Sequence, residues 1–351
     1  VLDVFTLGMV LVSAAALTGM MRKYAINRSL LDLSNPRSSH SIATPRGGGV
    51  SIVVTFTAAL VFLFCLGRVP SHYFVALLGG GLLVSGIGFW DDHGHISARW
   101  RIIIHFAAAS WALGWLGSMP PIPVGDVTWS LGWIGDALGV VLLVWFLNLY
   151  NFMDGIDGLA TVETLCVAGG AAVILLFHGA EETPVWLGLL VASSLGFLMW
   201  NWPPAKIFMG DVGSGFLGYS LGVFAIVTAS SGELPIWTWF ILLGVFLVDA
   251  TVTLLRRMLS GARWYEAHRS HAYQHAARSW HSHSKVTLSV LGINVLWLLP
   301  LASYASQRPD LGLVLTGIAF TPLFLLAVML RAGKDEDTTH PHRRSRSVTA
   351  P

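Results

Sequence analysis

Residues 135–177 read GDALGVVLLVWFLNLYNFMDGIDGLATVETLCVAGGAAVILLF. Two apolar runs, at about 135–152 and 159–177, each come near the ~20 residues that a helix needs to cross a bilayer core. Between them Asp154 and Asp157 sit three residues apart, each followed by a glycine, with Asn151 three residues upstream. On a continuous helix that spacing sets all three side chains on one face. The glycines let a ligand approach the backbone closely. An unpaired carboxylate in hydrocarbon costs roughly 2.5 kcal/mol or more, so two acids at such a boundary need a reason. A hard cation such as Mg²⁺ supplies one; a polar loop at the end of a membrane helix is the plainer alternative.

The pattern extends over the whole chain. Of 351 residues, 54% are hydrophobic and 11% charged, against roughly 25% charged in a soluble domain. This composition predicts an all-α polytopic integral membrane protein and excludes an ordinary soluble one. Eleven runs are long enough to span: 2–20, 48–66, 73–90, 102–118, 135–152, 159–177, 184–200, 213–230, 236–255, 287–304 and 311–330. Cys65 and Cys166 fall inside apolar runs and are expected to be free, buried thiols. The absence of an internal repeat removes support for an inverted-repeat transporter. Residues 1–331 form the expected membrane domain with its loops, and 332–351 a polar, disordered tail.

Charge sets the orientation. Of the 21 Lys and Arg residues, all but Arg68 and Arg308 fall in alternate loops that share one side, together with the C-terminal tail. The positive-inside rule makes that side cytoplasmic, with the N-terminus outside and the C-terminus inside. No cleavable signal is evident, because no basic residue precedes the first apolar run, which Arg22 and Lys23 follow.

The inner loops carry the unusual residues. NPRSSHSIATPRGGG (35–49) offers His40, Arg46 and three glycines to an anion, or simply anchors a helix. WDDHGHISARWR (90–101) begins with Asp91 and Asp92, whose mutual repulsion calls for a cation or a shared proton. In NWPPAKIFMGDVGSG (201–215), Asp211 is either a metal ligand or an acid at a helix N-terminus. Lys206 is a phosphate contact or a topology anchor, and Phe208 a base-stacking ring or an interfacial aromatic. In EAHRSHAYQHAARSWHSHSK (266–285), His268, His271 and His275 would share one helix face if helical. An anion-binding loop suits them better than zinc, since no thiolate or acid completes a ligand set nearby. Glu163 and His105 are expected to be paired locally. Asp249 is an intramembrane acid and so a functional candidate, without an evident partner.

Taken together, these loops resemble those of the polyprenyl-phosphate N-acetylhexosamine-1-phosphate transferases, glycosyltransferase family 4. The resemblance runs from TPRGGG (44–49) to the histidine loop and is most specific at NFMDGIDGLA and PAKIFMGDVGSG. It looks closest to the branch that initiates O-antigen or related surface polysaccharides. The resemblance implies transfer of a sugar-1-phosphate from a UDP-N-acetylamino sugar to undecaprenyl phosphate, with release of UMP. It implies Mg²⁺, or Mn²⁺ in its place, held by Asp211 with Asp92 beside it, and Asp91 as base toward the lipid phosphate. Asn151, Asp154 and Asp157 would line the nucleotide pocket, with Asp157 toward the uracil. Asn201 and Phe208 would hold the uridine, Lys206 a phosphate, and His271 the diphosphate. The expected partners are the UDP-sugar, undecaprenyl phosphate and the lipid bilayer of a bacterial inner membrane. Nucleic acid is not among them, and a homodimer stays open. Two departures stand out: His95 replaces the third acid of the family's DDxxD pattern, and HAYQH replaces a denser histidine cluster. Muramyl-pentapeptide phosphate transfer and, in a different class, cation transport are the competing readings.

Overall fold

The computed structural model describes residues 2–32, 43–94, 96–262 and 268–334. Thereby His40, His95 and most of the expected tail lie outside the described residues. Fourteen helices follow one another among the described residues: α1 (Leu2–Asn27), α2 (Val50–Cys65), α3 (Ser71–His93), α4 (Ala98–Leu116), α5 (Gly132–Met153), α6 (Leu159–Phe177), α7 (Thr183–Asn201), α8 (Asp211–Ser230), α9 (Ile236–Leu242), α10 (Gly244–Leu259), α11 (Ala272–Trp280), α12 (His283–Ile293), α13 (Leu299–Gln307) and α14 (Gly312–Met329). A single π-helical turn, Asn294–Leu298, joins α12 to α13. Two short antiparallel ribbons add to the all-α expectation: β1 (Leu31–Asp32) with β2 (Thr44–Pro45), and β3 (Ile122–Val124) with β4 (Val127–Trp129).

Eight helical segments among the described residues are long and apolar enough to cross a membrane, or up to nine if α9 and α10 count as one span bent by 74°. This is fewer than the eleven expected. The helix α2 has only 16 residues, and α4, diluted by Arg99, Arg101, His105 and Ser110, is not among the eight.

The helix α8 is the axis of the bundle. It is buried along nearly its whole length and packs against α3 and α5, while α7 packs against α1 and α6. Glycine, serine and alanine recur along α8, and small residues let membrane helices approach closely where apolar burial gives no preference over lipid. The outside of the bundle is correspondingly apolar: Phe5, Val12, Phe177, Leu296 and Met329 are all exposed. This explains why the expectation for the cysteines fails in part. Both are free, but Cys65 is exposed and Cys166 half-buried. An apolar run in such a protein marks contact with either helix or lipid.

The two ends of the bundle differ. At one end, Arg68 pairs with Asp3 and with Glu182 at 2.9 Å, Thr183 donates to Glu233, and Arg308 pairs with Asp310. These contacts tie loops to helix ends. The other end gathers the C-terminus of α3, the N-termini of α4 and α8, and the α5–α6 turn.

Candidate active site

The acids of that second end are placed by helix termini. Gly88 lets α3 lie directly on the start of α8: a Cβ there would stand 2.6 Å from the backbone carbon and oxygen of Asp211. Asp91 and Asp92, one turn further on, therefore arrive beside Asp211. Asp92 is buried and accepts from the backbone N–H of Asp211 (3.1 Å) and of Val212 (3.2 Å), so it caps α8. It lies against Gly210, whose φ of 78° no side chain adopts easily. Its carboxylate thus serves the helix N-terminus, where an anion is favoured. Arg46 donates to the carbonyls of Asp91 (3.1 Å) and Asp92 (2.7 Å), satisfying the end of α3.

Asp91 turns the other way. It accepts from the Ile96 N–H at 2.8 Å and from Arg101 Nη1 at 2.8 Å. The same Arg101 nitrogen donates to Asp211 Oδ2 at 2.7 Å. Asn151 Nδ2 donates to Asp211 Oδ1 at 2.8 Å and to Ser214 at 3.2 Å. The adjacent acids thus do not share one ligand: Asp92 faces α8, and Asp91 meets Asp211 across Arg101. Sequence reasoning counted Arg101 only among the basic residues of the inner loops. A signal was available, because a cation in the opening turn of a helix opposes the helix dipole.

The opening stretch is not one helix, as its spacing suggested. The helix α5 ends at Met153, Asp154 to Gly158 form a turn, and Gly158 with φ of 74° starts α6. The two glycines break the helix that would have aligned the acids. Half-buried Asp154 has no hydrogen-bond partner among the described residues. Burial first, then the charges of Asp211, Asp92 and Asp157, push its carboxyl well above the ordinary range. Asp157 points into a neighbouring cavity of about 590 Å³ that it lines with Pro203, Arg278, His281 and His283. It accepts from the Ala205 N–H at 3.1 Å, and His283 Nδ1 lies 3.3 Å from its carboxylate. The sequence analysis did not single out His283.

The remaining expected residues divide. Asn201 is buried and used at both ends of its amide, accepting from Gly158 N–H and donating to Ile207 O, each at 3.0 Å. It braces the loop between the α5–α6 turn and the start of α8. Lys206 is exposed over the Trp200 ring, 5.7 Å from its centroid. Phe208 is half-buried and pairs through its backbone with Pro45 and Gly48, which brings the TPRGGG loop to the site. The three histidines do not share a helix: α11 begins at Ala272, and His271 is its cap. His271 is buried, 3.3 Å from Asp249. Asp249 thereby gains the partners it lacked in sequence. It also accepts from the N–H groups of Ala272 (2.9 Å) and Tyr273 (3.0 Å) and from Thr253 (3.0 Å). Tyr273 in turn donates to Phe152 O at 2.9 Å, linking this unit to the α5–α6 turn. Glu163 is paired with Asn294, at 2.7 Å, far away in sequence, and His105 lies 3.4 Å from Asn148. Two of the three described residues of the expected tail are packed: Ala332 is buried and Gly333 N–H donates to Ser270 O at 2.7 Å.

No three acids, histidines or cysteines among the described residues are preassembled around one point. The donor set nonetheless fits a hard divalent cation. Oxygens of Asp91 and Asp211 converge on a single positively charged nitrogen, and carboxylate oxygen is what Mg²⁺ prefers.

The sequence profile of glycosyl transferase family 4 matches residues 74–229, from α3 through α8. The probable undecaprenyl-phosphate N-acetylglucosaminyl 1-phosphate transferase of Bacillus subtilis (strain 168) is 32% identical over 259 residues, 71% of this chain and 70% of the relative. The decaprenyl-phosphate N-acetylglucosaminephosphotransferase of Mycobacterium tuberculosis (strain CDC 1551 / Oshkosh) is 28% identical over 352 residues, covering 91% of this chain and 87% of the relative. The phospho-N-acetylmuramoyl-pentapeptide-transferase of Moorella thermoacetica is 30% identical over 236 residues, 63% of this chain and 71% of the relative. On the strength of the profile and these relatives, the chain belongs to glycosyl transferase family 4, among its polyprenyl-phosphate N-acetylhexosamine-1-phosphate transferases.

Proposed function

We propose that this protein transfers an N-acetylamino-sugar-1-phosphate from a UDP-sugar to undecaprenyl phosphate, leaving undecaprenyl-diphospho-sugar and UMP. The observation that carries this reading is the gathering of Asp91, Asn151, Asp154 and Asp211 from α3, α5, the α5–α6 turn and α8 at one end of a membrane bundle. A reaction between a soluble nucleotide and a lipid-anchored phosphate needs its groups at such a boundary. The relatives named for this reaction support the assignment.

In this reading the acid end faces the cytoplasm of a bacterial inner membrane, as the Lys and Arg distribution favours. Eleven spans, the last ending before a short polar tail, complete the topology. A lipid-phosphate oxygen attacks the β-phosphorus of the UDP-sugar. The bond from that phosphorus to the bridging oxygen breaks, and the electron pair leaves with UMP. Asp91 takes the proton of the lipid phosphate. Asp211, with Asp92 beside it, would hold Mg²⁺, which when bound supplies charge neutralisation on the diphosphate. Asn151 keeps the Asp211 carboxylate turned into the site. The Asp157 cavity and Phe208 take the nucleotide, and His271 lies on the diphosphate side. The product would prime a surface polysaccharide such as an O-antigen.

The test is UMP release by purified protein given Mg²⁺, undecaprenyl phosphate and a panel of UDP-sugars. UDP-N-acetylglucosamine or a related amino sugar is the expected donor, and reversible loss in EDTA is expected with it. Turnover only of the muramyl-pentapeptide nucleotide would favour the second reading, which the Moorella relative makes specific. Metal flux into proteoliposomes with no UMP release would remove the enzyme assignment altogether.

A further inference from the structure

Arg101 stands where the proposed chemistry needs a cation. Its Nη1 bridges Asp91 Oδ2 and Asp211 Oδ2 at 2.8 and 2.7 Å. Without it, two carboxylates would face each other at close range, which disfavours ionising both. Nη1 is the guanidinium nitrogen that holds these acids, and among the described residues its other nitrogens have no hydrogen-bond partner. The Arg101 side chain is 32% exposed and that of Asp211 29%, so water and ions reach the pair. Arg101 also projects from the opening turn of α4, where the helix dipole works against a positive charge. The guanidinium is thus held by the two acids and by little else.

We propose that Arg101 is a built-in stand-in for the divalent cation: it neutralises Asp91 and Asp211 while the site is empty and releases both when the metal binds. This rests on the metal-dependent transferase reading above. A divalent ion brings twice the charge and a preference for carboxylate oxygen, so it displaces the guanidinium without leaving either acid unpaired. The arrangement keeps the empty site folded, and it makes the metal compete with a tethered cation.

The experiment reads Mn²⁺ binding to the full-length protein by electron paramagnetic resonance, without nucleotide or lipid. Wild type, Arg101→Gln and Arg101→Lys are compared. With the competitor removed, Arg101→Gln is expected to bind Mn²⁺ about tenfold tighter, the worth of a lost charge-assisted pair. Arg101→Lys, which keeps a point charge but not the planar fork, should lie between. In EDTA the thermal midpoint of Arg101→Gln should fall below wild type, and saturating Mn²⁺ should close that gap. A folded Arg101→Gln protein with unchanged or weaker Mn²⁺ affinity overturns the proposal. Should that variant not fold, unchanged affinity in Arg101→Lys overturns it equally. If wild type releases UMP with Mg²⁺ while the variants bind Mn²⁺ alike, only this inference fails. If none of the three binds Mn²⁺, the metal reading fails with it.

Discussion

Asp211 and Asp249 are both aspartates enclosed near the same end of the bundle, yet they are held in opposite ways. Both carboxylate oxygens of Asp211 are held by side chains, the amide of Asn151 and the guanidinium of Arg101. Asp249 is held by two backbone N–H groups at the start of α11, with His271 and Thr253 beside them. Side chains swing away at little cost, whereas backbone amides of a formed helix do not. An acid satisfied by movable groups is ready to exchange partners, and one satisfied by fixed groups is part of the frame. The contrast separates a site of chemistry from the scaffold that aims it, although a sequence shows only two aspartates.

The sharpest way to break the comparison is to remove each acid in turn. Asp211→Asn should lower kcat/KM for UMP release by about 10²–10³-fold, the scale for losing one preorganised electrostatic group. Its thermal midpoint in EDTA should stay level or rise, since a like-charge contact with Asp91 is removed. Full activity in that variant would sink the metal assignment. Asp249→Ala should do the reverse at first reading and destabilise the protein by about 3 kcal/mol or more, because buried donors lose their acceptor. Thermal denaturation in detergent checks it. An unchanged midpoint would mean that Asp249 is not part of the frame.

A smaller effect tests how α3 delivers its acids. Gly88→Ala places a methyl 2.6 Å from the Asp211 backbone, so α3 must shift, and a displacement near 1 Å costs about 10²-fold in turnover. Wild-type rates for this variant would show that the close approach is not needed. A pH series sharpens the contrast further. The raised Asp154 carboxyl stabilises the cation-free fold most below the ordinary Asp range, and that contribution is lost as pH rises through its shifted value. Added Mg²⁺ should therefore raise the melting temperature more at high pH than at low pH, and a pH-independent increment would contradict this. At the far end of the bundle Arg308→Ala, in a pair with Asp310 that is open to solvent, should leave the melting temperature and turnover unchanged.

Much of the fold is legible in hydropathy alone, because each apolar run is long and the loops between them are polar. Each of the eleven runs is mostly helical, although the one at 236–255 is split between α9 and α10 at a 74° bend. Hydropathy does not show how those helices meet. Arg101 and Asp211 are 110 residues apart, and Asp249 meets His271 22 residues further along the chain. The spacing of Asn151, Asp154 and Asp157 suggested one helical face, but glycine at 155 and 158 makes a turn, and Asp157 leaves the cluster for its own cavity. The resemblance set Asp92 beside the metal, and only the fold shows that its carboxylate also caps α8. Adjacent residues on a helix end point in different directions, and a dipeptide does not reveal which way.

The hydrogen bond from Gly333 to Ser270, with the Lys334 carbonyl 3.2 Å from His275, has a practical side. It fastens the close of the last helix to the strip bearing His271, so fusion partners and affinity tags belong after Lys334. A truncation at Arg331 would cut that fastening and should speed proteolysis of the 268–271 strip. Equal cleavage rates in the cut and full-length forms would show that the strip stands unaided.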